Sequence, residues 1–149
     1  MLQHLSELKC VNPKRDFTDL SLAMFDLASD ESSHTLIREF YEASKIVSAV
    51  CHGPAALVNV KLSGGEYLVA NQIVTGLSNA EEEYMQFTKD MPFLLETELK
   101  RRGAKYEKAD GLFGVKVVVS GREGKLVTGQ NPPSAAVIGN ALLQVSRLV

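Results

Sequence analysis

Residues 45–54 read Lys-Ile-Val-Ser-Ala-Val-Cys-His-Gly-Pro, and this stretch decides the fold class of the chain. Its first six residues form a short, mostly apolar run, which is typical of a strand buried in a parallel sheet. Pro54 suits the first turn of a helix, and we predict that this helix continues through residues 55–58. The stretch therefore predicts a strand, a sharp turn and a helix, the unit from which α/β folds are built.

Helices and strands alternate on both sides of this unit. Asp30 is a good N-cap for a helix over residues 31–44, and four of its apolar side chains share one face, namely Leu36, Ile37, Phe40 and Tyr41. Further elements follow in chain order: a two-stranded hairpin at 67–75, a helix capped at 78–79, a helix from 92 to 102 with Gly103 as its stop, strands at 115–120 and 126–128, and a terminal helix from 133 or 134 to 148. This order predicts an α/β fold with a mainly parallel sheet.

Length, composition and charge narrow the class of protein. The chain has 149 residues, 45% of them hydrophobic, which predicts a single domain over residues 1–149. A net charge of -2 gives no reason to expect a nucleic-acid or membrane partner. No run is long enough to span a membrane, and the first residues lack the apolar core of a signal peptide. Only Cys10 and Cys51 are present, so we expect a cytoplasmic protein without a disulfide framework.

The turn at Cys51 has the features of a nucleophile site. Its sulfur would project from the carboxyl end of the strand, where open α/β sheets bind their ligands. The N-terminus of the following helix would favour thiolate over thiol, the backbone N–H of His52 could stabilise an oxyanion, and Gly53 would let a substrate approach. The alternative is that Cys51 is a small buried apolar residue and His52 a hydrogen-bonded structural one.

Four ordered motifs give the chain a resemblance to a known family. They lie at 48–57 (Ser-Ala-Val-Cys-His-Gly-Pro-Ala-Ala-Leu), 74–82 (Val-Thr-Gly-Leu-Ser-Asn-Ala-Glu-Glu), 91–96 (Met-Pro-Phe-Leu-Leu-Glu) and 127–134 (Val-Thr-Gly-Gln-Asn-Pro-Pro-Ser). Together they resemble the DJ-1/PfpI superfamily near its Hsp31-like glyoxalase III branch. The resemblance implies a flavodoxin-like (class I glutamine amidotransferase-like) three-layer sandwich with a mainly parallel sheet, and it covers about residues 25–149.

The resemblance also implies a function and a site. The implied activity is the glutathione-independent conversion of methylglyoxal, a small dicarbonyl, to D-lactate by a Cys-His-Glu triad. Cys51 would be the nucleophile, His52 its partner and Glu82 the acid, with Glu81 as the alternative acid. Gly53 and Asn131 are the predicted substrate contacts. The resemblance implies no cofactor and no metal, and a homo-oligomer is expected. Without the resemblance, Glu81 and Glu82 would be interpreted as a solvated helix start that complements the helix dipole.

Residues 1–24 differ from the family pattern and are interpreted as a divergent leader before a family-like core. The family has an N-terminal βα unit carrying a glutamate that contacts the cysteine, followed by a strand ending in a Gly-Gly-His-Gly type loop. The segment from Lys14 to Met24 has no glycine and no apolar strand pattern. We therefore expect the N-terminal part of the fold to be incomplete, catalysis to be impaired, and a strand edge to be left open to self-association.

Two other functions stay open at this point. One is a cysteine hydrolase or amidotransferase-like enzyme, which would keep Cys51 as the nucleophile and change the substrate. The other is a non-catalytic stress or chaperone-like protein, or a dimerisation partner of a related chain, for which Cys51 would be dispensable.

Overall fold

The structure is a computed structural model that describes residues 22–147, so the predicted leader lies almost entirely outside the described residues. In chain order the helices and strands are α1 (Leu22–Phe25), α2 (Glu31–Glu42), β1 (Val47–Val50), β2 (Ile73–Val74), α3 (Asn79–Tyr84), α4 (Leu95–Arg101), β3 (Lys105–Tyr106), β4 (Val117–Ser120), β5 (Leu126–Gly129) and α5 (Ala135–Ser146). Short 3₁₀ helices lie at Gly53–Leu57, Arg122–Gly124 and Pro132–Ser134. None of the helices within 22–147 combines the length and the apolar character that crossing a bilayer requires.

The sheet is mixed and mainly parallel, as predicted. In the larger sheet β5 lies between β1 and β4, parallel to the first and antiparallel to the second. The β1 and β5 strands run in register from Val47 opposite Leu126 to Val50 opposite Gly129. A second, two-stranded sheet pairs β2 with β3 in parallel. Because β1 and β5 are parallel, their carboxyl ends lie at the same edge, where Cys51 follows β1.

The core lies on both faces of β5 because side chains alternate along a strand. Leu126 belongs to the larger apolar cluster, which also contains Met24, Leu57 and Leu95. Val127 belongs to a smaller cluster under α5. Both of these β5 side chains are fully buried, as expected for a strand covered on two faces. The central strand is thus packed on both faces next to the carboxyl edge that carries Cys51.

Helix α2 forms at the predicted place and buries a narrower face than predicted. Asp30 caps it by accepting hydrogen bonds from the backbone N–H groups of the second and third residues after it. The buried positions are His34 and Tyr41, seven residues apart, whereas Leu36 and Phe40 are exposed. The four-residue apolar face of the prediction was therefore wrong at these two positions. Phe40 lies outside the core, with the Lys45 ammonium 4.7 Å from its ring centre.

The predicted hairpin at residues 67–75 is wrong. Its second half is β2, which pairs with β3 rather than with the preceding segment. The first half is a turn in which Tyr67 forms an isolated bridge to Lys61. Asn71 has a left-handed φ of 62°, but the residue after it is not glycine, and a tight type I′ turn needs positive φ at both central positions. The Asn71 N–H instead donates to the carbonyl of Gly103 at 2.9 Å.

Other element boundaries differ by a few residues. The helix after Cys51 is a five-residue 3₁₀ helix, Gly53–Leu57, instead of the predicted α-helix over 55–58. Helix α4 begins at Leu95 instead of residue 92 and ends at Arg101, one residue before the predicted end, and the predicted stop Gly103 has a left-handed φ of 86°. Helix α5 begins at Ala135, one or two residues after the predicted start, because a 3₁₀ turn, Pro132–Ser134, precedes it.

Candidate active site

Cys51 lies in a strained turn at the carboxyl end of β1. Its φ of 61° is in the left-handed region, which costs a residue with a side chain about 1–3 kcal/mol. Two backbone hydrogen bonds hold the conformation. The Cys51 N–H donates to the Gly129 carbonyl at 3.0 Å, and the Cys51 carbonyl accepts from the Leu77 N–H at 2.9 Å. Gly129, the last residue of β5, and Leu77, in the segment after β2, therefore fix this sharp turn at Cys51. The turn was predicted from the sequence and is called the cysteine elbow below.

The structure brings the three predicted triad residues together. The His52 Nδ1 atom lies 3.8 Å from the Cys51 sulfur, and His52 Nε2 lies 2.8 Å from Glu82 Oε2. All three residues are buried, with exposed fractions of 6% for Cys51, 5% for His52 and 2% for Glu82. The imidazole thus bridges the thiol and the carboxylate, an arrangement that can move a proton to or from a group bound at sulfur.

The surroundings of His52 favour its protonated form. Burial lowers the pKa of this histidine, but hydrogen bonds to Cys51 and Glu82, together with the charges of these groups, raise it from the ordinary 6.5 to about 9. At neutral pH His52 is then an imidazolium whose two N–H groups face Cys51 and Glu82. The 3₁₀ helix, whose N-terminus was expected to favour the thiolate of Cys51, has only five residues and a correspondingly small dipole.

The free energy of unfolding should fall as the pH rises through 9. A group whose pKa is raised on folding stabilises the folded state. This contribution is complete below the pKa of the unfolded state, here 6.5, and is lost above the pKa of the folded state, here about 9. The expected loss between about pH 7 and pH 10 is roughly 3 kcal/mol. Urea unfolding at both pH values measures it, with His52→Gln as the comparison, because that variant lacks the titrating group. An equal loss in both proteins would contradict the raised pKa of His52.

Of the two adjacent acids, only Glu82 contacts His52. Both carboxylates are buried, so the interpretation of this run as a solvated helix start is wrong for Glu81 and Glu82. Glu83 is exposed, and its carboxylate accepts from Thr88 Oγ1. Glu81 forms the capping box of α3 with Ser78, the N-cap residue. Successive helical side chains point about 100° apart, which separates the directions of the two acids.

The two predicted substrate contacts, Gly53 and Asn131, differ in whether they could still contact a substrate. The Asn131 side chain has an exposed fraction of 0% and uses all its polar atoms within the protein. Its Nδ2 donates to Glu81 Oε1 and to the Gly114 carbonyl, and its Oδ1 accepts from the backbone and hydroxyl of Ser134. These contacts leave Asn131 without a free donor or acceptor for substrate. A Cβ on Gly53 would lie 3.4 Å from Ala49 Cβ, an ordinary contact distance. Close approach of a substrate to Gly53 stays a prediction.

Sequence reasoning missed the role of Gly76. A Cβ there would lie 3.0 Å from Leu95 Cδ2, 3.3 Å from Pro54 Cγ and 3.4 Å from the Cys51 carbonyl oxygen. The segment between β2 and α3 therefore packs directly on the elbow. The Tyr106 hydroxyl donates to the Gly76 carbonyl at 2.7 Å, and burial, with the charges of Glu96 and Glu81, holds the pKa of this tyrosine above its usual range. The glycine of the Thr-Gly pair at 75–76 was the sequence feature that could have indicated this close approach to the cysteine turn.

Two further features complete the description of the site. Within residues 22–147, no three His, Cys, Asp or Glu side chains are close enough together to hold a metal ion. A cleft of about 680 Å³ lies near the opposite, amino end of β5, and none of the predicted site residues lines it. Its lining residues are Tyr41, Glu42, Leu62, Gly64, Glu66, Gln72, Gly121 and Arg122.

Comparison with known proteins gives consistent results. The sequence model of the DJ-1/PfpI family matches residues 24–145. The glutathione-independent glyoxalase hsp3102 of Schizosaccharomyces pombe is 35% identical over 125 residues, covering 76% of this chain and 49% of that protein. Glyoxalase 3 of Candida albicans is 30% identical, covering 75% of this chain and 48% of that protein. The chain thus spans about half the length of the curated relatives it matches.

Solved structures agree with the fold. The Candida albicans glyoxalase III structure superposes with a TM-score of 0.75 at 26% identity, covering 83% of this chain and 52% of that one. The Francisella tularensis Rapid Encystment Protein 24 kDa superposes with a TM-score of 0.77 at 34% identity, covering 84% of this chain and 54% of that one. These similarities confirm the predicted flavodoxin-like α/β fold.

Proposed function

The chain belongs to the DJ-1/PfpI family, in its Hsp31-like branch, and on that premise we propose that it converts methylglyoxal to D-lactate without glutathione. The observation that supports this most directly is the contact of the His52 imidazole with both the Cys51 sulfur and the Glu82 carboxylate. We assign the nucleophile to Cys51, proton transfer to His52 and orientation of the imidazole to Glu82.

The first proposed step is addition of the Cys51 thiolate to the aldehyde carbon of methylglyoxal. A carbon–sulfur bond forms, the carbonyl π pair moves to oxygen, and a proton from His52 converts the resulting alkoxide to a hemithioacetal. The backbone N–H of His52 donates to no other group among residues 22–147, so it can stabilise that oxyanion before protonation.

The second step moves a proton between the two former carbonyl carbons. Neutral His52 removes the proton from the carbon bonded to sulfur, giving an enediol, and a proton is returned to the neighbouring carbon to give a lactoyl thioester. Water then hydrolyses the thioester and restores the thiolate. The net reaction adds one water to methylglyoxal, with no external oxidant or reductant. Because Cys51 must stay reduced for this cycle, we propose a cytoplasmic, reducing compartment.

The test of this function is a D-lactate assay on the purified chain with methylglyoxal and no glutathione. Formation of D-lactate above the rate without protein supports the proposal. Release of ammonia or cleavage of peptides, with no D-lactate, would favour the hydrolase or amidotransferase alternative. Protection of cells from methylglyoxal that persists when Cys51 is removed would favour the non-catalytic alternative.

We also propose that the chain self-associates along β1. Within the described residues, β1 pairs on one side only, with β5. The N–H groups of Val47 and Cys51 donate to β5 and its flanks, so the N–H of the intervening Ser48 points towards the other side. Ser48 is exposed, and an unpaired strand edge offers its free backbone groups for pairing with a strand of another chain.

Replacing Ser48 by proline should shift the chain from a dimer or larger species towards a monomer. Proline removes the outward N–H and is tolerated on an edge, so the pairing of β1 with β5 is retained. Size-exclusion chromatography with light scattering measures the mass of both proteins. A monomeric parent chain would contradict the proposal. So would an S48P variant that keeps the parent mass and the parent circular dichroism.

A further inference from the structure

Glu81 is a buried charge that the proposed mechanism does not use. Its exposed fraction is 0%, and no Lys, Arg or His forms an ion pair with it among residues 22–147. Burying a carboxylate without a cation is costly unless hydrogen bonds replace its hydration. Four such bonds are present, and all four partners are donors. A buried carboxylate held by four donors, next to Glu82 in the chain, points to a role in the site.

The four donors come from two different segments. Glu81 Oε2 accepts from the Ser78 N–H at 2.9 Å, the Ser78 hydroxyl at 2.6 Å and Gln130 Nε2 at 3.0 Å. Glu81 Oε1 accepts from Asn131 Nδ2 at 2.8 Å. Ser78 begins α3, whereas Gln130 and Asn131 follow β5. The carboxylate of Glu81 therefore joins the start of α3 to the end of the central strand.

The same end of β5 holds the nucleophile. The carbonyl of Gly129, the residue before Gln130, accepts the hydrogen bond from the Cys51 N–H. The segment 129–131 thus contacts the cysteine elbow through its backbone and α3 through the Glu81 carboxylate. Helix α3 has only six residues, and Glu82 is the next residue after Glu81 on it. The position of α3 against this segment sets the direction in which Glu82 points.

Glu82 itself has little else to orient it. Its Oε2 contacts His52, and its buried Oε1 has no hydrogen-bond partner in the described part of the chain. We propose that Glu81 is a positioning residue, which clamps α3 to the segment after β5 so that Glu82 reaches the His52 imidazole. This inference rests on the proposed function for its kinetic consequence. Its geometric consequence, the Glu82–His52 contact, can be measured without any activity.

The replacement Glu81→Gln isolates the clamp, because it keeps the volume and changes one oxygen to an NH₂ group. Whichever of the two carboxylate oxygens the NH₂ group replaces, it would face a hydrogen-bond donor. At least one hydrogen bond is therefore lost, and two donors are left facing each other. Glu83→Gln is the matched control, since Glu83 is exposed on the same helix. Misplacement of a reacting group by about 1 Å can cost on the order of 100-fold in rate. We expect kcat to fall by that factor with KM nearly unchanged, because Glu81 does not reach substrate.

Two measurements follow the site without turnover. The His52–Glu82 hydrogen bond should give a strongly downfield proton resonance, which we expect to be lost in Glu81→Gln and kept in Glu83→Gln. The rate of Cys51 alkylation by iodoacetamide near neutral pH should fall in parallel, because a displaced imidazolium stabilises the thiolate less. If the parent chain makes no D-lactate, the proposed function fails, and these two measurements still decide the role of Glu81.

A compensating exchange provides the rescue. In the double variant Glu81→Gln/Asn131→Asp, the new NH₂ group donates to the introduced aspartate, while the remaining side-chain oxygen at position 81 accepts from Ser78 and Gln130. We expect the downfield resonance to return and the alkylation rate to recover partly, because the Gly114 carbonyl loses its donor. Recovery would show that the hydrogen bond between positions 81 and 131, and not the charge of Glu81, keeps Glu82 in contact with His52.

Three outcomes would overturn the inference. The first is a folded Glu81→Gln variant that keeps the resonance and an alkylation rate within about twofold of Glu83→Gln. The second is a folded double variant with no recovery. If neither variant folds, the test uses Gln130→Met, which removes a single donor to Glu81. The third outcome that would overturn the inference is an unchanged His52 resonance in Gln130→Met. A weakened resonance in Gln130→Met would support the clamp.

Discussion

Replacing Cys51 by serine should lower D-lactate formation from methylglyoxal by about 10⁴-fold. The hydroxyl of serine is not ionised near neutral pH, and a neutral hydroxyl is a far weaker nucleophile than a thiolate. Without a thiolate no hemithioacetal forms, so the subsequent proton transfer has no substrate. The geometry of the elbow should survive, because its left-handed backbone is held by main-chain bonds to Gly129 and Leu77, which the substitution leaves in place.

The matched control for this variant is Cys10→Ser, which removes the other thiol of the chain. We expect it to retain the parent rate of D-lactate formation. Both variants and the parent are assayed with methylglyoxal in the absence of glutathione, after circular dichroism has established equal folding. D-lactate formation by Cys51→Ser at more than about a tenth of the parent rate would exclude sulfur as the nucleophile. Loss of activity in Cys10→Ser alone would place the reactive thiol elsewhere.

The local signals in the sequence predicted most of the elements. Caps, turn glycines and apolar runs act within a few residues, and they correctly located α2, β1 and the end of α4. The segment at 67–75 failed because strand pairing is a long-range property. Nothing near Ile73 indicates that its partner strand begins at Lys105, more than thirty residues away. Strands β4 and β5, which pair antiparallel across only five residues, were both predicted from their apolar runs.

The sequence motifs predicted which residues form the candidate site, and the directions of the side chains in the structure show which of the two acids contacts His52. The sequence places Cys51 and His52 at an elbow, but the choice between Glu81 and Glu82 depends on how α3 is rotated, which no local pattern fixes. Burial of both acids was also unpredictable, because two of the four donors to Glu81, those of Gln130 and Asn131, lie about fifty residues further along the chain. The same network explains why Asn131, predicted to contact substrate, has its polar atoms used inside the protein.

Replacing Glu82 by glutamine should lower turnover by roughly 10³–10⁴-fold, and Glu83→Gln should change it by less than about twofold. The amide oxygen of glutamine can still accept a hydrogen bond from His52 Nε2, so the variant keeps the contact and removes the charge. Its NH₂ group would take the place of Glu82 Oε1, which has no partner among residues 22–147, so no existing bond is broken.

The missing charge should change how the reaction depends on pH. The pKa of His52, raised to about 9 partly by the hydrogen bond and charge of Glu82, should fall towards 6.5 in Glu82→Gln. The imidazole then loses its proton at a lower pH than in the parent, and above that pH it can neither protonate the alkoxide nor place a positive charge beside the sulfur. The profile of Cys51 alkylation against pH, recorded for both variants, measures this change. If Glu82→Gln and Glu83→Gln gave the same profile and the same turnover, the 2.8 Å hydrogen bond between Glu82 and His52 would have only a structural role, and Glu82 would not belong to the triad.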